Sequence, residues 1–423
     1  MDLKMWCSVV RQRTIENPWV VHSGLATYMA WGFLQAISGR RKGAIKALSQ
    51  VHRTARISWF RRLVEPYIVA NRDAIYLNLG QLPQTDLRPL FGNRLMVLKA
   101  PASGSEKGVL FVMVNDTIRL LCSGMDMQKL LDDYTLVFEP SWSGYCHPEL
   151  LEYTRWNEEI FVLTAEESDF AFLTRLGSNL VPVGLGPCDW VDPWAAEPYL
   201  RNTKEFDIVM NSNWGAWKRH YVLFHMLRNA KQRYKVALIG VHWSGKTRDD
   251  IVQLAHFYGV TDQLAIFDWI PYQQVMDLTC GSKVSILLSL KEGSNRAIAE
   301  SIFCNVPVVV LSNHVGGIRK NIVPETGLLA EEANLESAIA QLLESNIYPR
   351  EWGLEHVSCF KSTEKLNATL REYALKQGRP WTQDIAVRSN SPESSYLSAK
   401  DAERLLPWNE GLKDYLSHGA PIN

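Results

Sequence analysis

Residues 284–310 read VSILLSLKEGSNRAIAESIFCNVPVVV. The apolar run 284–290 predicts a buried strand, and the Glu-Gly pair that follows it predicts a turn. A helix should open near Ser294 and stop before Pro307, where a second apolar run has the composition of another strand. Strand, turn, helix and strand in this order predict a βαβ unit of a parallel sheet.

Two carboxylates are placed around this helix. Glu292 lies at its mouth and Glu300 lies about two turns inside it. The opening turn of a helix presents unpaired N–H groups and a positive dipole end, which suit a phosphate or a sugar hydroxyl. Because carboxylates are strong acceptors for sugar diols, the pair can grip two parts of a nucleotide sugar. The plainer alternative is a doubly wound domain with two solvated glutamates.

The same alternation of strands and helices runs through most of the chain. A first series has predicted strands at 108–114, 134–138, 160–163 and 180–183. A turn-rich segment, 186–193, separates it from a second series with predicted strands at 207–210, 235–239, 264–267, 284–290 and from 307 onward. Helical patterns between the strands predict two doubly wound α/β domains, in which a ligand binds at the carboxyl ends of the strands.

The segment from Glu292 to Glu300 resembles the E-x7-E signature of the retaining family-4 glycosyltransferases. The resemblance is good over residues 206–343 and loose over 108–192. It implies the GT-B fold, in which two Rossmann-like domains face a cleft. It also implies a retaining transferase that takes a sugar of hexose type from a nucleoside diphosphate.

This family organisation suggests four parts of the chain. Residues 1–70 would form a helical basic segment, and residues 71–200 the N-terminal Rossmann-like domain on the acceptor side. Residues 201–365 would form the C-terminal Rossmann-like domain that binds the nucleotide sugar. Residues 366–423 would form a tail whose helix crosses back to the N-terminal domain, as the family's C-terminal helices often do.

The resemblance implies a cationic grip on the donor diphosphate. The family has an Arg and a Lys five residues apart after the first strand of its second domain. Lys218 matches the Lys and is the predicted catalytic cation, whereas Asn213 falls where the Arg would be. Arg219, Lys246 and Arg248 are the candidates to replace that Arg.

The resemblance also implies roles for the two glutamates. Glu300 would accept hydrogen bonds from both ribose hydroxyls. Glu292 would hold the donor sugar and stabilise positive charge at its anomeric carbon. The residues that match the family's backbone donors to sugar and phosphate are Gly293, Ser294, Asn295 and Arg296.

Two further donor contacts are expected in the second domain. Ile270, in the sequence Asp-Trp-Ile-Pro, matches the family's loop that reads the base with backbone atoms. Gly240 ends a strand where a larger side chain would block the nucleotide. The family's Val-Gly-Gly loop is matched at residues 315–317, and we interpret it as mostly structural, because paired glycines permit a tight turn.

The first domain offers three candidates for acceptor or sugar contact. Glu139 and Trp142 follow a predicted strand end, in the place of a His that many family members carry on a nearby loop. Asp116 follows the strand at 108–114. For each of them, a surface loop role without ligand contact is an equally good interpretation.

The composition limits the other classes of partner. The formal net charge is zero, with 45 basic and 45 acidic side chains, so nucleic acid is not an expected partner. No Asp-x-Asp metal signature occurs, and we expect neither a metal nor another cofactor beside the donor. Fifteen Trp is a high count, typical of proteins with sugar-stacking or membrane-facing surfaces.

The N-terminal segment is basic. Residues 1–70 hold eleven Lys or Arg and three Asp or Glu. Residues 40–62 interleave basic and apolar side chains, which suits a helix on an anionic membrane surface beside a lipid-linked acceptor, and equally a helix packed on the protein with solvated charges. The expected location is the cytoplasm, and a peripheral place on the inner face of the membrane is the additional option.

The sequence therefore predicts a metal-independent glycosyltransferase of glycan or polysaccharide biosynthesis. Two alternatives stay open. One is a nucleotide-sugar epimerase of the same fold, and the other is a non-catalytic homologue that binds glycan or nucleotide.

Overall fold

The computed structural model describes residues 3–74, 94–102, 105–196 and 204–417. The chain divides into two compact units. The C-terminal unit comprises Met1–Asn17 and Cys188–Lys361, and the N-terminal unit comprises Pro18–Pro187 and Ser362–Asn423. The chain thus changes unit at 187/188 and 361/362, where the sequence suggested 200/201 and 365/366, and its predicted helical segment 1–70 is shared between the units.

Four helices precede the first sheet: α1 (Leu3–Glu16), α2 (Pro18–Ile37), α3 (Arg41–Thr54) and α4 (Ser58–Ala70). Helix α3 buries Ile45, Leu48 and Val51 against the N-terminal unit and exposes Lys42 and Lys46. Phe60 of α4 is buried as well. Of the two interpretations of residues 40–62, the structure therefore favours helices packed on the protein, because most of their apolar side chains are not available to a membrane. Among the described residues, no helix is both long enough and apolar enough to cross a bilayer.

The N-terminal unit is built on a five-stranded sheet. Its strands are β1 (Leu95–Lys99), β2 (Gly108–Met113), β3 (Tyr134–Glu139), β4 (Ile160–Leu163) and β5 (Leu180–Val183), in that order across the sheet. Strand β1 is antiparallel to β2, and the other neighbours are parallel. The helices that alternate with these strands are α5 (Asn115–Gly124), α6 (Met127–Asp133), α7 (Pro148–Leu151) and α8 (Glu167–Leu176). Every residue of β2 is buried, as expected for a strand covered on both faces.

The C-terminal unit holds a six-stranded parallel sheet. Its strands are β6 (Phe206–Asn211), β7 (Val236–Gly240), β8 (Leu264–Asp268), β9 (Ser282–Leu287), β10 (Val308–Leu311) and β11 (Gly327–Ala330). Its helices are α9 (His220–Asn229), α10 (Arg248–Tyr258), α11 (Tyr272–Cys280), α12 (Arg296–Phe303), α13 (Leu335–Leu343) and α14 (Pro349–His356). The order across the sheet is β8-β7-β6-β9-β10-β11. This is a Rossmann-like order, and it reverses direction between β6 and β9.

The C-terminal stretch returns to the N-terminal unit. Helix α15 (Cys359–Lys376) leads to a small antiparallel pair, β12 (Arg388–Asn390) and β13 (Ser394–Tyr396), and then to α16 (Ala399–Gly411). Asn409 of α16 accepts a hydrogen bond from the Val97 backbone N–H at 2.9 Å. This bond ties α16 to β1 of the same unit.

Candidate functional site

The point at which the strand order reverses carries the two predicted catalytic residues. Lys218 follows β6, Glu292 follows β9, and these strands are parallel neighbours. The Lys218 Nζ atom donates to Glu292 Oε1 at 2.6 Å, and the two side chains are only 9% and 12% exposed. Because the carboxyl ends of parallel strands at such a reversal form the ligand crevice of Rossmann-like sheets, the ion pair occupies the expected ligand position.

The Glu292 carboxylate is held on its other side by the start of α12. Its Oε2 accepts from Asn295 Nδ2 at 2.9 Å, and Asn295 Oδ1 caps the helix by accepting from the Ile298 N–H at 3.0 Å. The helix thus begins at Arg296, two residues later than the sequence predicted. Burial raises the pKa of Glu292, but the Lys218 charge and the hydrogen bonds outweigh burial, so this pKa lies below its ordinary value. The carboxylate is ionised at neutral pH.

The backbone of a second loop, residues 315–317, is hydrogen-bonded to the backbone of Glu292 and Gly293. The Glu292 N–H donates to the Val315 carbonyl at 2.9 Å, and the Gly317 N–H donates to the Gly293 carbonyl at 2.7 Å. A Cβ on Gly316 would come within 2.7 Å of the Glu292 carbonyl oxygen. Gly316 is therefore needed for the close approach of this loop to the Glu292 backbone, which is a structural role.

Glu300 lies inside α12 and is 3% exposed. Its Oε1 accepts from the Tyr272 hydroxyl at 3.0 Å and is paired with Arg296 Nε at 3.0 Å. Burial raises the pKa of Glu300 above its ordinary value, against the lowering effect of Arg296 and Tyr272. The sequence did not identify Tyr272, since nothing in its spacing from Glu300 signals the contact.

The loop after β6 positions Lys218. The residues Ala216–Lys218 form a 3-10 turn, so Lys218 precedes α9 and does not open it. Asn213 accepts from the Gly215 N–H at 3.0 Å and shapes this turn. Ser294, on the opposite loop, accepts from the Cys188 N–H at 3.1 Å.

The structure corrects the assignment of Arg219 to the donor. Its guanidinium is only 7% exposed and bonds to three internal acceptors: Glu16 at 2.8 Å, Glu332 at 2.7 Å and the Leu288 carbonyl at 3.2 Å. These bonds fasten α1 to the C-terminal unit. Because its three side-chain nitrogens already bond to the protein, Arg219 is not the cation that would replace the expected Arg beside a diphosphate.

The reason given for Gly240 is also corrected. A Cβ at this position would lie 2.4 Å from the Ser212 carbonyl oxygen and 2.8 Å from the Trp214 ring. Trp214 is in turn held by a 2.8 Å hydrogen bond from its Nε1 to Asp268. The glycine therefore makes room for the protein's own loop after β6.

Aromatic side chains follow three neighbouring strands of the C-terminal sheet. Trp269, beside the predicted base-reading residue Ile270, is 65% exposed and donates from Nε1 to His242 Nδ1 at 2.9 Å. Trp243 is 54% exposed and meets the Trp217 ring edge to face, with centroids 6.3 Å apart. Ile270 is half-buried against a small apolar cluster. These tryptophans were not among the site residues predicted from the sequence, although one follows each of β6, β7 and β8.

The candidates in the N-terminal unit lie at the end of its sheet. Glu139 closes β3, is buried, and pairs with the fully buried Arg388 at 3.1 Å. Trp142 is 50% exposed, and Asp116 is exposed in the first turn of α5. The sequence predicted that Glu139 contacts an acceptor or a sugar. In the structure its carboxylate is already paired with an internal cation.

Within the described ranges, no group of three or more His, Cys, Asp or Glu side chains is arranged to hold a metal ion.

Comparisons with known proteins agree with this architecture. Residues 195–355 match the family Glycosyl transferases group 1. No curated protein matches the chain significantly in sequence. The structure of sucrose-phosphate synthase from Thermosynechococcus elongatus aligns with a TM-score of 0.50 at 16% identity, over 64% of this chain and 74% of that one. The Anabaena protein Alr3699/HepE, solved in complex with UDP-glucose, aligns with a TM-score of 0.47 at 15% identity, over 62% and 78%.

The likeness to the synthase is one of fold. It agrees with the two sheets described above and confirms the predicted fold class. The chain has two Rossmann-like domains of the GT-B type, and its residues 195–355, within which Lys218, Glu292 and Glu300 lie, are similar to the glycosyl transferases of group 1.

Proposed function

We propose that this protein is a retaining glycosyltransferase, which moves a sugar from a nucleoside diphosphate to an acceptor hydroxyl in glycan or polysaccharide biosynthesis. The buried Lys218–Glu292 pair at the strand reversal carries the proposal. The family match over residues 195–355 supports it independently of that geometry. A cytoplasmic location and a glycan or lipid-linked acceptor remain predictions.

The proposed chemistry assigns one task to each charged group. The bond between the anomeric carbon and the diphosphate breaks, and the leaving diphosphate keeps the electron pair. The Lys218 ammonium neutralises that growing negative charge, as preorganised cations do in other transferases. Glu292 holds the sugar and stabilises positive charge at the anomeric carbon, and Glu300 accepts from the ribose hydroxyls.

The acceptor hydroxyl attacks on the face from which the diphosphate leaves, and its proton passes to the departing phosphate oxygen. This mechanism needs no carboxylate on the opposite face of the sugar. It therefore assigns Glu292 an electrostatic role and not that of a nucleophile.

A non-catalytic homologue is the second candidate function, and the surroundings of Lys218 favour it. Asn213 stands where the family has a cation, and Arg219 is committed to internal acceptors. A protein that has lost turnover would bind a nucleoside diphosphate and release no sugar to any acceptor. The epimerase alternative would instead convert the sugar nucleotide with no acceptor present.

A panel of donors tests the proposal directly. UDP-, GDP-, ADP- and dTDP-sugars are added singly while the unfolding temperature is followed. We expect one base to raise it, because a ligand that binds the native state stabilises that state by mass action. Release of the diphosphate from that donor, with and without glycan acceptors, then separates transferase, epimerase and binding protein. If none of the four bases shifts the transition, the proposal is contradicted.

Glu300→Ala should weaken binding of the free nucleoside diphosphate and leave the fold intact. Loss of charge-assisted hydrogen bonds to a diol costs about 1.5–3 kcal/mol, which is roughly ten- to 150-fold in affinity. The fold should survive because Arg296 is partly exposed and can turn to solvent. Titration calorimetry measures the affinity.

Two further variants make the Glu300 test specific. Glu300→Gln keeps the side-chain volume and should also bind more weakly, since an amide is a poorer acceptor than a carboxylate. The exposed Glu344→Ala should bind as the wild type does. Unchanged affinity in both Glu300 variants would remove the ribose contact from the proposal.

Turnover should survive EDTA. We expect this because the chain contains no Asp-x-Asp sequence and because Lys218 lies at the ligand position. Initial rates are compared with and without the chelator, and with magnesium or manganese added back. Complete loss in EDTA that either metal restores would show that a metal, and not Lys218 alone, neutralises the diphosphate.

A further inference from the structure

Helix α2 packs Leu25, Met29 and Phe33 against the core, yet it also exposes a large apolar and aromatic surface to solvent. Its buried positions are His22, Leu25, Gly32 and Gln35. Its exposed positions include six large apolar side chains: Trp19 at 82%, Val20 at 47%, Tyr28 at 47%, Trp31 at 54%, Leu34 at 58% and Ile37 at 83%. A surface helix of a soluble domain ordinarily shows water its polar residues.

The inner face of α2 is fixed by specific contacts. A Cβ on Gly32 would come within 2.6 Å of Leu48, so the glycine allows α2 and α3 to approach closely. The His22 Nε2 atom accepts from the backbone N–H groups of Arg56 and Ile57 at 3.2 and 3.1 Å. The burial of polar residues therefore belongs to the packing of the helix, and the apolar face is left toward solvent.

The outer face, which we call the α2 face, contains no charge. The 20 residues of α2 include no Asp, Glu, Lys or Arg. Tryptophan and tyrosine are the side chains that concentrate at membrane–water interfaces, because an apolar ring and a polar N–H or O–H suit that boundary. Exposed apolar patches of this kind mark interaction sites.

The surrounding sequence selects the kind of partner. From residue 17 to residue 64 the chain has no acidic residue and eight basic ones: Arg40, Arg41, Lys42, Lys46, Arg53, Arg56, Arg61 and Arg62. Arg40, Lys42 and Lys46 are exposed just beyond the end of α2. An exposed apolar aromatic face that is followed in the sequence by exposed cations matches a bilayer, which has an apolar acyl interior and anionic headgroups at its surface.

We propose that the α2 face docks on a bilayer containing anionic lipids, with α2 lying in the plane of the interface. Its inner side remains packed on α3, so the helix inserts its aromatic side and does not cross the membrane. This surface differs from the segment 40–62 suggested by the sequence, whose apolar residues mostly face the core. The inference is independent of the proposed transfer chemistry.

Vesicle co-sedimentation of the full chain tests the inference without any measurement of turnover. We expect binding to vesicles of equal parts phosphatidylcholine and phosphatidylglycerol and much weaker binding to phosphatidylcholine alone. Leu34→Glu should reduce the bound fraction by about tenfold, since it removes an inserted apolar side chain and adds a charge that anionic lipid repels. Ile37→Ser is the milder second variant.

A matched control exists in the same unit. Leu406 of α16 is 54% exposed, close to the 58% of Leu34, and Leu406→Glu should bind vesicles as the wild type does. Circular dichroism and the unfolding temperature verify that each variant is folded. Salt should weaken the lipid-dependent part through screening of the cations, with little effect on the apolar part.

Three results would overturn the proposal. The first is wild-type protein that ignores anionic vesicles. The second is equal binding by the wild type and both folded α2 variants. The third is a self-associating wild type whose dimer is lost in Leu34→Glu while no form binds vesicles, because a second copy of the chain would then be the occupant of the α2 face.

Discussion

Lys218→Met should reduce turnover by about 10²–10³-fold, the usual effect of removing one preorganised group that stabilises transition-state charge. Lys218 Nζ is the cation that the described structure places at the strand reversal, 2.6 Å from Glu292. Methionine retains most of the side-chain length and removes the charge. Steady-state rates with the donor selected by the thermal-shift panel, at saturating acceptor, measure the effect.

The same substitution should also destabilise the C-terminal unit. It leaves the buried Glu292 side chain without its cation, and breaking one side of a buried ion pair costs about 3–5 kcal/mol. Glu292→Gln should be costly for the converse reason. The double variant Lys218→Met with Glu292→Gln should recover stability, since no uncompensated charge remains, and yet stay inactive.

This double-mutant cycle separates catalysis from folding. If the Lys218–Glu292 pair served only the fold, the double variant would recover both stability and turnover. Lys246→Met is the control, because Lys246 is 44% exposed, pairs with Asp250 on the surface, and was a candidate for the missing cation. If Lys246→Met abolishes turnover while Lys218→Met reduces it only a few-fold, the assignment of the cation is wrong.

The sequence predicted what short-range pattern controls. Runs such as residues 284–290 and 307–310 are mostly apolar, and helical patterns separate them, so the parallel sheets could be predicted with the strand ends placed within a few residues. Lys218 and Glu292 meet because the loops after neighbouring parallel strands open at the same edge. That rule needs only the strand order of a Rossmann-like fold.

The sequence could not predict contacts that arise from tertiary packing. Glu16 and Arg219 are far apart in sequence, and no periodicity announces that their ion pair joins α1 to the C-terminal unit. Strand β1 was missed, because the four-residue apolar run at 95–98 is too short to distinguish a strand from a helix. The pair β12 and β13 is polar and short, so it lacks the alternation that marks strands.

The α2 helix illustrates the same limit from the opposite direction. Its composition indicated an apolar segment, but only the structure shows which side the protein covers. His22 is buried because it accepts hydrogen bonds from the loop after α3, and the Gln35 side chain lies against Gly43 of α3. Because these contacts fix the inner side of α2, its aromatic side is exposed. The helix is therefore a candidate membrane contact and not an ordinary core helix.

Glu139→Gln should lower the free energy of unfolding by about 3–5 kcal/mol, the range found when one partner of a buried ion pair is removed. Arg388 has no exposed side-chain surface, and its guanidinium lies 4.2 Å from the Phe111 ring centroid. Loss of the carboxylate leaves a buried cation that no water can reach. Urea unfolding, followed by circular dichroism, measures the change.

Two comparisons decide whether Glu139 serves the fold or an acceptor. Glu139→Leu combined with Arg388→Met should be less destabilised than Glu139→Gln, because apolar replacement of both partners removes the desolvation cost with the charges. Asp116→Asn, at an exposed position of the same unit, should leave stability within about 0.5 kcal/mol of the wild type. A Glu139→Gln protein of unchanged stability, with a raised KM for the acceptor, would restore the acceptor contact predicted from the sequence. A large loss of stability with the acceptor KM unchanged would assign Glu139 to the fold, and the acceptor site of the N-terminal unit would then have to be sought at Trp142 and the exposed start of α5.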